Sequence, residues 1–249
     1  MKPNYWPEID RYESLGSTQD RARQLAQQRA PEGTVVTATV QTDGRGRLDR
    51  AWVSPAGGLW FSLLLRPNIS PAEAPGLNLL AAVAVTEALR SVTELEAGIK
   101  WPNDILVDGR KLAGILMEMK TGRDGIKYIL VGVGVNANID PAVMPDDLRL
   151  PPATVLGETG RQTDLSELLE MILAAFKEDY YGWPNCRAGV LNRWRDLSVT
   201  LGRRVTIDSA GNTVSGLARD INSDGSLTIV DAAGAAHTVH AGDLTLQFD

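Results

Sequence analysis

Tyr128-Ile-Leu-Val-Gly-Val-Gly-Val135 is the run on which the fold turns. It is β-prone and almost wholly apolar, and the polar turn Thr121–Gly125 precedes it. Such a run suits the centre of a sheet. Working outward, Ile105–Val107 and Leu112–Glu118 flank Asp108-Gly109-Arg110 and read as a hairpin, with Asp-Gly as the turn signal. Gly98–Trp101 is a short strand. Leu59–Leu65, ended by Arg66-Pro67, is a longer one, and Thr34–Gln41 and Ile9–Leu15 complete the set. Helical periodicity appears at Gln19–Gln28, Pro71–Val92, Leu165–Tyr181 and Arg187–Asp196. Ser17 followed by Asp20 reads as a capping box with Asp in place of Glu. Pro141–Pro152 reads as a proline-rich surface loop. This is an α+β pattern: a mixed β-sheet with flanking helices.

The character changes near Leu197. Beyond it lie only short strands, at Arg203–Ile207, Thr213–Asp220, Ser226–Ile229, Ala236–Val239 and Asp243–Leu246. Asp208–Asn212, Asn222–Gly225 and Ala232–Gly234 are the turns between them. That is the pattern of a small five-stranded β-barrel. The boundary falls between Asp196 and Gly202, which divides the chain into residues 1–197 and 198–249.

Composition narrows the class. At 249 residues, 43% hydrophobic and 22% charged, the chain suits one large domain and a small one. The single cysteine, Cys186, excludes an internal disulfide and fits a reducing cytoplasm. Met1–Pro7 has no apolar signal core. The apolar run Leu77–Leu89 is interrupted by Asn78, Thr86 and Glu87 and is too short to span a bilayer, so a buried helix is expected. A net charge of −6 argues against a general nucleic-acid binder but leaves room for a local basic pocket. Both histidines, His237 and His240, fall in the C-terminal part, so the large domain holds no Ser-His-Asp triad. No Cys/His metal site, phosphate-binding P-loop or Rossmann glycine fingerprint is present.

Four strings carry the chemistry. Gly44-Arg45-Gly46-Arg47-Leu48-Asp49-Arg50 packs three arginines into a loop whose glycines permit unusual backbone angles. Its N–H groups and forked guanidiniums suit a phosphate or carboxylate. A solvated glycine-rich turn, or an arginine–glycine RNA-binding segment, would read the same way locally. Lys100-Trp101-Pro102-Asn103-Asp104 places a lysine between apolar neighbours, and Asn103 and Asp104 offer oxygens for Mg²⁺ or a hydroxyl. An Asx turn explains Asn-Asp well and Lys-Trp-Pro poorly. Lys111-Leu-Ala-Gly-Ile115 leaves room beside Gly114 for a ligand, against the alternative of a surface lysine opening a strand. Gly132 and Gly134 share one strand face, bare enough for a nucleobase or for tight packing beneath a helix.

The ordered set Ser17-Thr18-Gln19, Gln41-x-x-Gly44-Arg-Gly-Arg47, Lys100-Trp-Pro-Asn-Asp104, Lys111-Leu-Ala-Gly-Ile-Leu116 and Gly132-x-Gly-x-Asn136 resembles the biotin–protein ligases. The match spans most of residues 8–140. The resemblance implies a class II synthetase/biotin ligase-like catalytic domain followed by an SH3-like barrel. It implies that biotin, ATP and Mg²⁺ yield biotinyl-5′-AMP, from which biotin passes to a lysine of a biotin carboxyl carrier protein. Carried over by residue, Ser17, Thr18, Gln19 and Gln41 would meet the ureido head. Arg45 and Arg47, with Gly44 and Gly46, would hold the carboxylate–phosphate region, and Lys100 the reacting carboxylate and α-phosphate. Lys111 would lie near the ligand, Gly114 would line the biotin tunnel, Trp52 would pack on the closed loop and the adenine, and Asn136 would sit by the nucleotide. The catalytic set is then Lys100, Arg47 and Arg45, with no protein metal ligands.

Two departures stand out. Gln19 replaces an asparagine, and Leu48-Asp49 replaces a basic residue and glycine. The catalytic pattern begins by residue 9 and no helix-turn-helix is visible, so the resemblance is to the monofunctional type, without DNA binding. It also makes a homodimer plausible, with Tyr128–Val135 reaching a sheet edge. A lipoate or octanoate transferase, a non-catalytic biotin sensor and an RNA-binding protein are the rival readings.

Overall fold

The computed structural model describes residues 9–145, 148–209 and 212–246. The Met1–Pro7 reading and part of the Asp208–Asn212 turn lie outside the described residues. A seven-stranded sheet is built from β1 (Ile9–Leu15), β2 (Val35–Gln41), β3 (Leu59–Leu65), β4 (Gly98–Lys100), β5 (Asp104–Val107), β6 (Arg110–Gly122) and β7 (Gly125–Val135). Its order is β1-β2-β3-β7-β6-β5-β4, with only β1 and β2 parallel. β7 is the central strand, as its composition requires. It pairs with β3 and β6, so it does not reach an edge, which corrects that part of the dimer expectation. Asp108 and Gly109 both hold positive φ, 47° and 75°, as a tight two-residue hairpin turn demands.

The helices are α1 (Thr18–Gln27), α2 (Pro75–Thr93), α3 (Val155–Thr159), α4 (Leu165–Gly182) and α5 (Arg187–Leu197). α2 is the buried helix expected from the interrupted apolar run. It packs on α4 and α5, and the same core holds Leu59, Phe61, Leu63 and Leu65 of β3. Each such fully buried side chain contributes about 1.5–3 kcal/mol. Alternation along β3 turns Trp60, Ser62 and Leu64 the other way. Leu64 lies under Ala22 and Ala26 of α1, and Trp60 packs with Ile139 and Met144. Ser62, between them, faces a cavity.

A second, antiparallel sheet contains β8 (Arg204–Ser209), β9 (Asn212–Ile221), β10 (Leu227–Val230), β11 (Ala236–Val239) and β12 (Asp243–Leu246), in the order β11-β10-β9-β8-β12. It is joined to the first part by a shared core and by Trp101, whose backbone N–H donates to Thr200 Oγ1 at 2.9 Å and whose indole donates to Gly225 O at 3.0 Å. Pro141–Pro152 is a surface loop in part: Pro141–Val143, Arg149 and Pro151 are exposed, and Asp146 and Asp147 lie outside the described residues. Met144 is buried, and Lys111 N donates to Pro151 O while Ala153 N donates to Lys111 O. These backbone bonds hold residues 151–153 against β6, so that Leu148, Arg149, Leu150 and Pro152 form a wall of the cavity, and α3 follows directly.

Candidate active site

A cavity of about 590 Å³ opens beside β7, where the first turn of α1, the arginine loop, the β4–β6 strands, residues 144–145 and 148–152, and β12 converge. Its floor is a buried polar network. Thr18 donates to Gln41 Oε1 through its backbone N–H (2.8 Å) and its hydroxyl (3.0 Å). Thr18 Oγ1 lies 2.9 Å from Ser62 Oγ, and Ser62 donates to Gln19 Oε1 at 2.9 Å. Gln41 Nε2 donates to Ser54 Oγ at 2.9 Å. Gln19, whose extra methylene distinguishes it from asparagine, spans to β6 and offers Nε2 to Leu116 O at 3.4 Å. It fits because Gly132 has no side chain: a Cβ there would stand 2.7 Å from Gln19 Oε1. Ser17 occupies the N-cap position of α1, but its side chain makes no capping bond, so the capping-box expectation fails. The side chain lines the cavity instead.

The upper wall is cationic. Lys100 is 5% exposed, with Nζ 3.7 Å from Asp104 Oδ2, and Lys111 Nζ lies 2.5 Å from Asp104 Oδ1. The tight β4–β5 connection places Lys100 opposite Asp104, and β6 brings Lys111 alongside. Burial pushes the Lys100 ammonium below the ordinary lysine value; Asp104 opposes that shift, and Lys111 and Arg149 reinforce it. Asn103 is not spent on an Asx turn: its Nδ2 donates to Ile115 O at 2.7 Å and its Oδ1 accepts from Arg47 at 3.2 Å. Asn103 and Asp104 therefore have their oxygens engaged. No cluster of three His, Cys, Asp or Glu able to hold a metal occurs among the described residues. This donor set does not fit a resident metal ion.

The arginine loop is closed on itself: Trp52 N donates to Gly44 O, and Gly46 N to Arg50 O, both at 2.8 Å. Its strained position is not a glycine. Leu48 holds φ 56° and is 67% exposed, whereas Gly46 is extended at φ −104°. Gly44 is required for close approach, since a Cβ would fall 2.7 Å from Ser54 Oγ. The three arginines go separate ways. Arg45 pairs with Asp20 on α1, Arg47 bonds Asn103, and Arg50 grips both oxygens of Asp243 on β12, where Arg149 joins at 2.9 Å. Burial lowers Arg47 from the ordinary guanidinium value, with Asp104 and Asp243 opposing. It remains charged at any working pH.

The glycine face of β6 and β7 points into the cavity and already carries a flat group. The Trp52 indole lies there, so that a Cβ on Gly134 would stand 2.5 Å from its Nε1 and one on Gly114 3.1 Å from its Cζ3. Lys111 Nζ sits 4.9 Å from that ring, and Trp60 meets it edge-on at 6.3 Å. The two readings of the bare face therefore divide: Gly132 lies beneath Gln19 of α1, as packing under a helix requires, while the platform at Gly134 and Gly114 holds the indole. Asn136 is buried and donates to Lys111 O (3.2 Å) and Ala153 O (3.1 Å), while its Oδ1 has no partner.

The structure thus gathers every sequence-nominated residue around one cavity: Ser17, Thr18, Gln19, Gln41, Arg45, Gly46, Arg47, Trp52, Lys100, Lys111, Gly114 and Asn136 line it, and Gly44 shapes the loop from behind. Sequence reasoning missed Ser62, Arg149 and Asp243, and read Asp20 only as part of a capping box. Ser62 carried a signal, as the lone polar residue inside Leu59–Leu65. The others are isolated charges whose meaning exists only after folding.

Residues 12–136 match the "Biotin/lipoate A/B protein ligase family", and residues 200–245 match the "Biotin protein ligase C terminal domain". The chain is 35% identical over 237 residues to the bifunctional ligase/repressor BirA of Bacillus subtilis, covering 94% of this chain and 73% of that one. It is 33% identical over 247 residues to the biotin–[acetyl-CoA-carboxylase] ligase of Mycobacterium tuberculosis, covering 96% and 89%. Among solved structures, the biotin protein ligase from Aquifex aeolicus in complex with biotin and ATP has a TM-score of 0.82 at 27% identity, covering 98% of this chain and 100% of that one.

Proposed function

The chain belongs to the biotin/lipoate A/B protein ligase family, and we infer that its cavity is where ATP activates biotin for transfer to protein. It is a biotin–protein ligase that binds biotin and ATP. The observation that carries the assignment of roles is the buried Lys100 on a cationic wall above a polar floor.

In the first step a carboxylate oxygen of biotin attacks the α-phosphorus of ATP, and pyrophosphate leaves with the electrons of the broken P–O bond. The difficulty is bringing like charges together. One carboxylate facing one phosphate charge at about 4 Å costs about 4 kcal/mol at an effective dielectric near 20. Left uncancelled, that is about a thousandfold in rate. Lys100, Lys111 and Arg47 supply the cancelling charge, held in place before the ligand arrives. Ser17, Thr18, Gln19, Gln41 and Ser62 orient the ureido head, and Gly114 and Trp52 flank the tunnel above. In the second step a neutral lysine amine attacks the acyl carbon, AMP leaves, and the amine gives up a proton. The arginine loop shields the mixed anhydride from water until then.

Asn136 Oδ1 is a buried acceptor in want of a donor, and the exocyclic amine of adenine supplies one. Magnesium would be held by the nucleotide's phosphates, since the oxygens of Asn103 and Asp104 are engaged. The acceptor is the lysine of a biotin carboxyl carrier protein domain. Residues 1–197 act as the catalytic domain and 198–249 as the small one, whose β12 closes one wall. Should copies pair through the seven-stranded sheet, β1 is the edge left open among the described residues, because β4 is bridged by Ser198. No helix among the described residues is long and apolar enough to cross a membrane, and the single cysteine supports a cytoplasmic placement.

The test is transfer itself. Incubation with biotin, ATP, magnesium and a carrier domain should leave one biotin on the carrier's lysine by mass spectrometry, and none on a Lys→Arg carrier. An unmodified carrier would overturn the transferase assignment.

A further inference from the structure

Arg45 is only half used. One terminal nitrogen, Nη2, pairs with Asp20 Oδ1, while its Nε is shielded from solvent and has no partner. Asp20 lies one residue beyond Gln19, in the same first turn of α1 that supplies the cavity floor. The same Oδ1 also receives Arg23, whose other nitrogen reaches Glu118 on β6 at 2.5 Å. The carboxylate is therefore shared between α1 and the loop. At the loop's far end Arg50 is gripped by Asp243. Between these two anchors Arg47 meets Asn103 and, among the described residues, no carboxylate within ion-pair distance. The loop is pinned at its ends and keeps its middle guanidinium for a ligand.

We propose that Asp20 is a positioning residue: by holding Arg45 it pins the entry side of the arginine loop over the cavity, and so sets how long the acyl adenylate is retained. The claim rests on the ligase reading for what is retained. It adds a carboxylate outside every motif string, and it divides labour among the arginines. Arg45 and Arg50 hold the loop, and Arg47 meets the ligand. Asp20 also stands in the first turn of a helix, where a negative charge stabilises the helix by itself. The experiment must separate the two roles.

Two readouts on the full chain do so. The first is escape of free biotinyl-5′-AMP, without carrier, after loading with biotin and ATP. Asp20→Asn should release it about fivefold faster than wild type, the factor a partly exposed ion pair supports, with the KM for biotin unchanged. Arg23→Gln should retain it as wild type does. Raising salt from about 0.1 M to about 1 M should speed escape more from wild type than from Asp20→Asn, because the Arg50–Asp243 pair is screened in both and the Asp20 pair exists only in wild type. The second readout needs no turnover: trypsin cleavage after Arg45, Arg47 and Arg50 in the ligand-free protein. It should be about fivefold faster in Asp20→Asn and unchanged in Arg23→Gln. Wild-type retention and cleavage in Asp20→Asn would overturn the proposal. So would equal effects from Arg23→Gln, which would place the action in α1. A wild type that makes no adenylate would sink the ligase reading alone, and the trypsin comparison would still decide the role of Asp20.

Discussion

Lys100 shows how a single side chain acquires a function through placement. An ammonium that is 5% exposed is tolerated only with a partner, and Asp104 provides it at 3.7 Å, shared with Lys111. Replacing Lys100 with Ala should lower the rate of adenylate formation by about a thousandfold while the thermal midpoint stays within a few degrees. A variant that forms adenylate at the normal rate would remove Lys100 from the mechanism. The direction of its pKa gives a second check. Because burial lowers it from 10.5, the free enzyme loses this charge at a lower pH than an ordinary lysine would. The alkaline limb of kcat/KM should therefore fall before pH reaches 10.5, and a profile flat to that value would contradict the assignment. Asn136 makes a separable prediction. Asn136→Ala removes the acceptor offered to adenine and should raise the KM for ATP about three- to tenfold, the worth of one neutral hydrogen bond, without moving that for biotin. Equal changes in both would mean that the residue only braces β7 against Lys111 and Ala153.

At the scale of elements, β7 was the most legible part of the chain. Its apolar, valine-rich run reads as a central strand and is one, because a strand buried on both faces has no need of polar alternation. Leu59–Leu65 and Ala236–Val239 begin and end as read, being bounded by turn residues, and Ile9–Leu15 ends and Asp243–Leu246 begins as read. Less legible were features decided by tertiary contact. The short α3 is five residues long, capped by Thr154 and packed through Val155, with no periodicity to reveal it. The left-handed residue of the arginine loop is Leu48, since the loop's closure sets where the turn falls, whatever its glycines permit. The bare face of β6 and β7 was visible as Gly114, Gly132 and Gly134, but its occupants, Trp52 and Gln19, come from distant segments. Gly134→Val tests that contact. It should displace the indole at a cost of about 1–3 kcal/mol, seen as a lowered thermal midpoint and a red-shifted tryptophan emission. An unchanged spectrum would mean the ring does not rest there.

Across the whole molecule, the net charge of −6 conceals a cavity with a cationic wall, and the small C-terminal sheet reaches that cavity through Asp243. Arg50, with Arg149 behind it, holds the Asp243 carboxylate down at about 2. A carboxylate lowered on folding contributes stability above its free-chain value of 3.8, and that contribution is lost as pH falls through about 2. Between pH 5 and pH 9 the tie between loop and sheet should thus be insensitive to pH. Asp243→Asn should cost about 0.2–1 kcal/mol at neutral pH, and the difference from wild type should vanish in thermal scans as pH approaches 2. A constant difference at all pH values would show that the side chain acts through packing. None of this was readable beforehand, because Arg50 and Asp243 are 193 positions apart and neither belongs to a string that names its partner. The strings that were readable converge on one claim, that this cavity adenylates biotin. ATP–pyrophosphate exchange, run without carrier and with biotin, lipoate and octanoate in parallel, tests it most directly. Exchange with biotin alone is the predicted result. Exchange driven by lipoate or octanoate, or none with biotin, would contradict it.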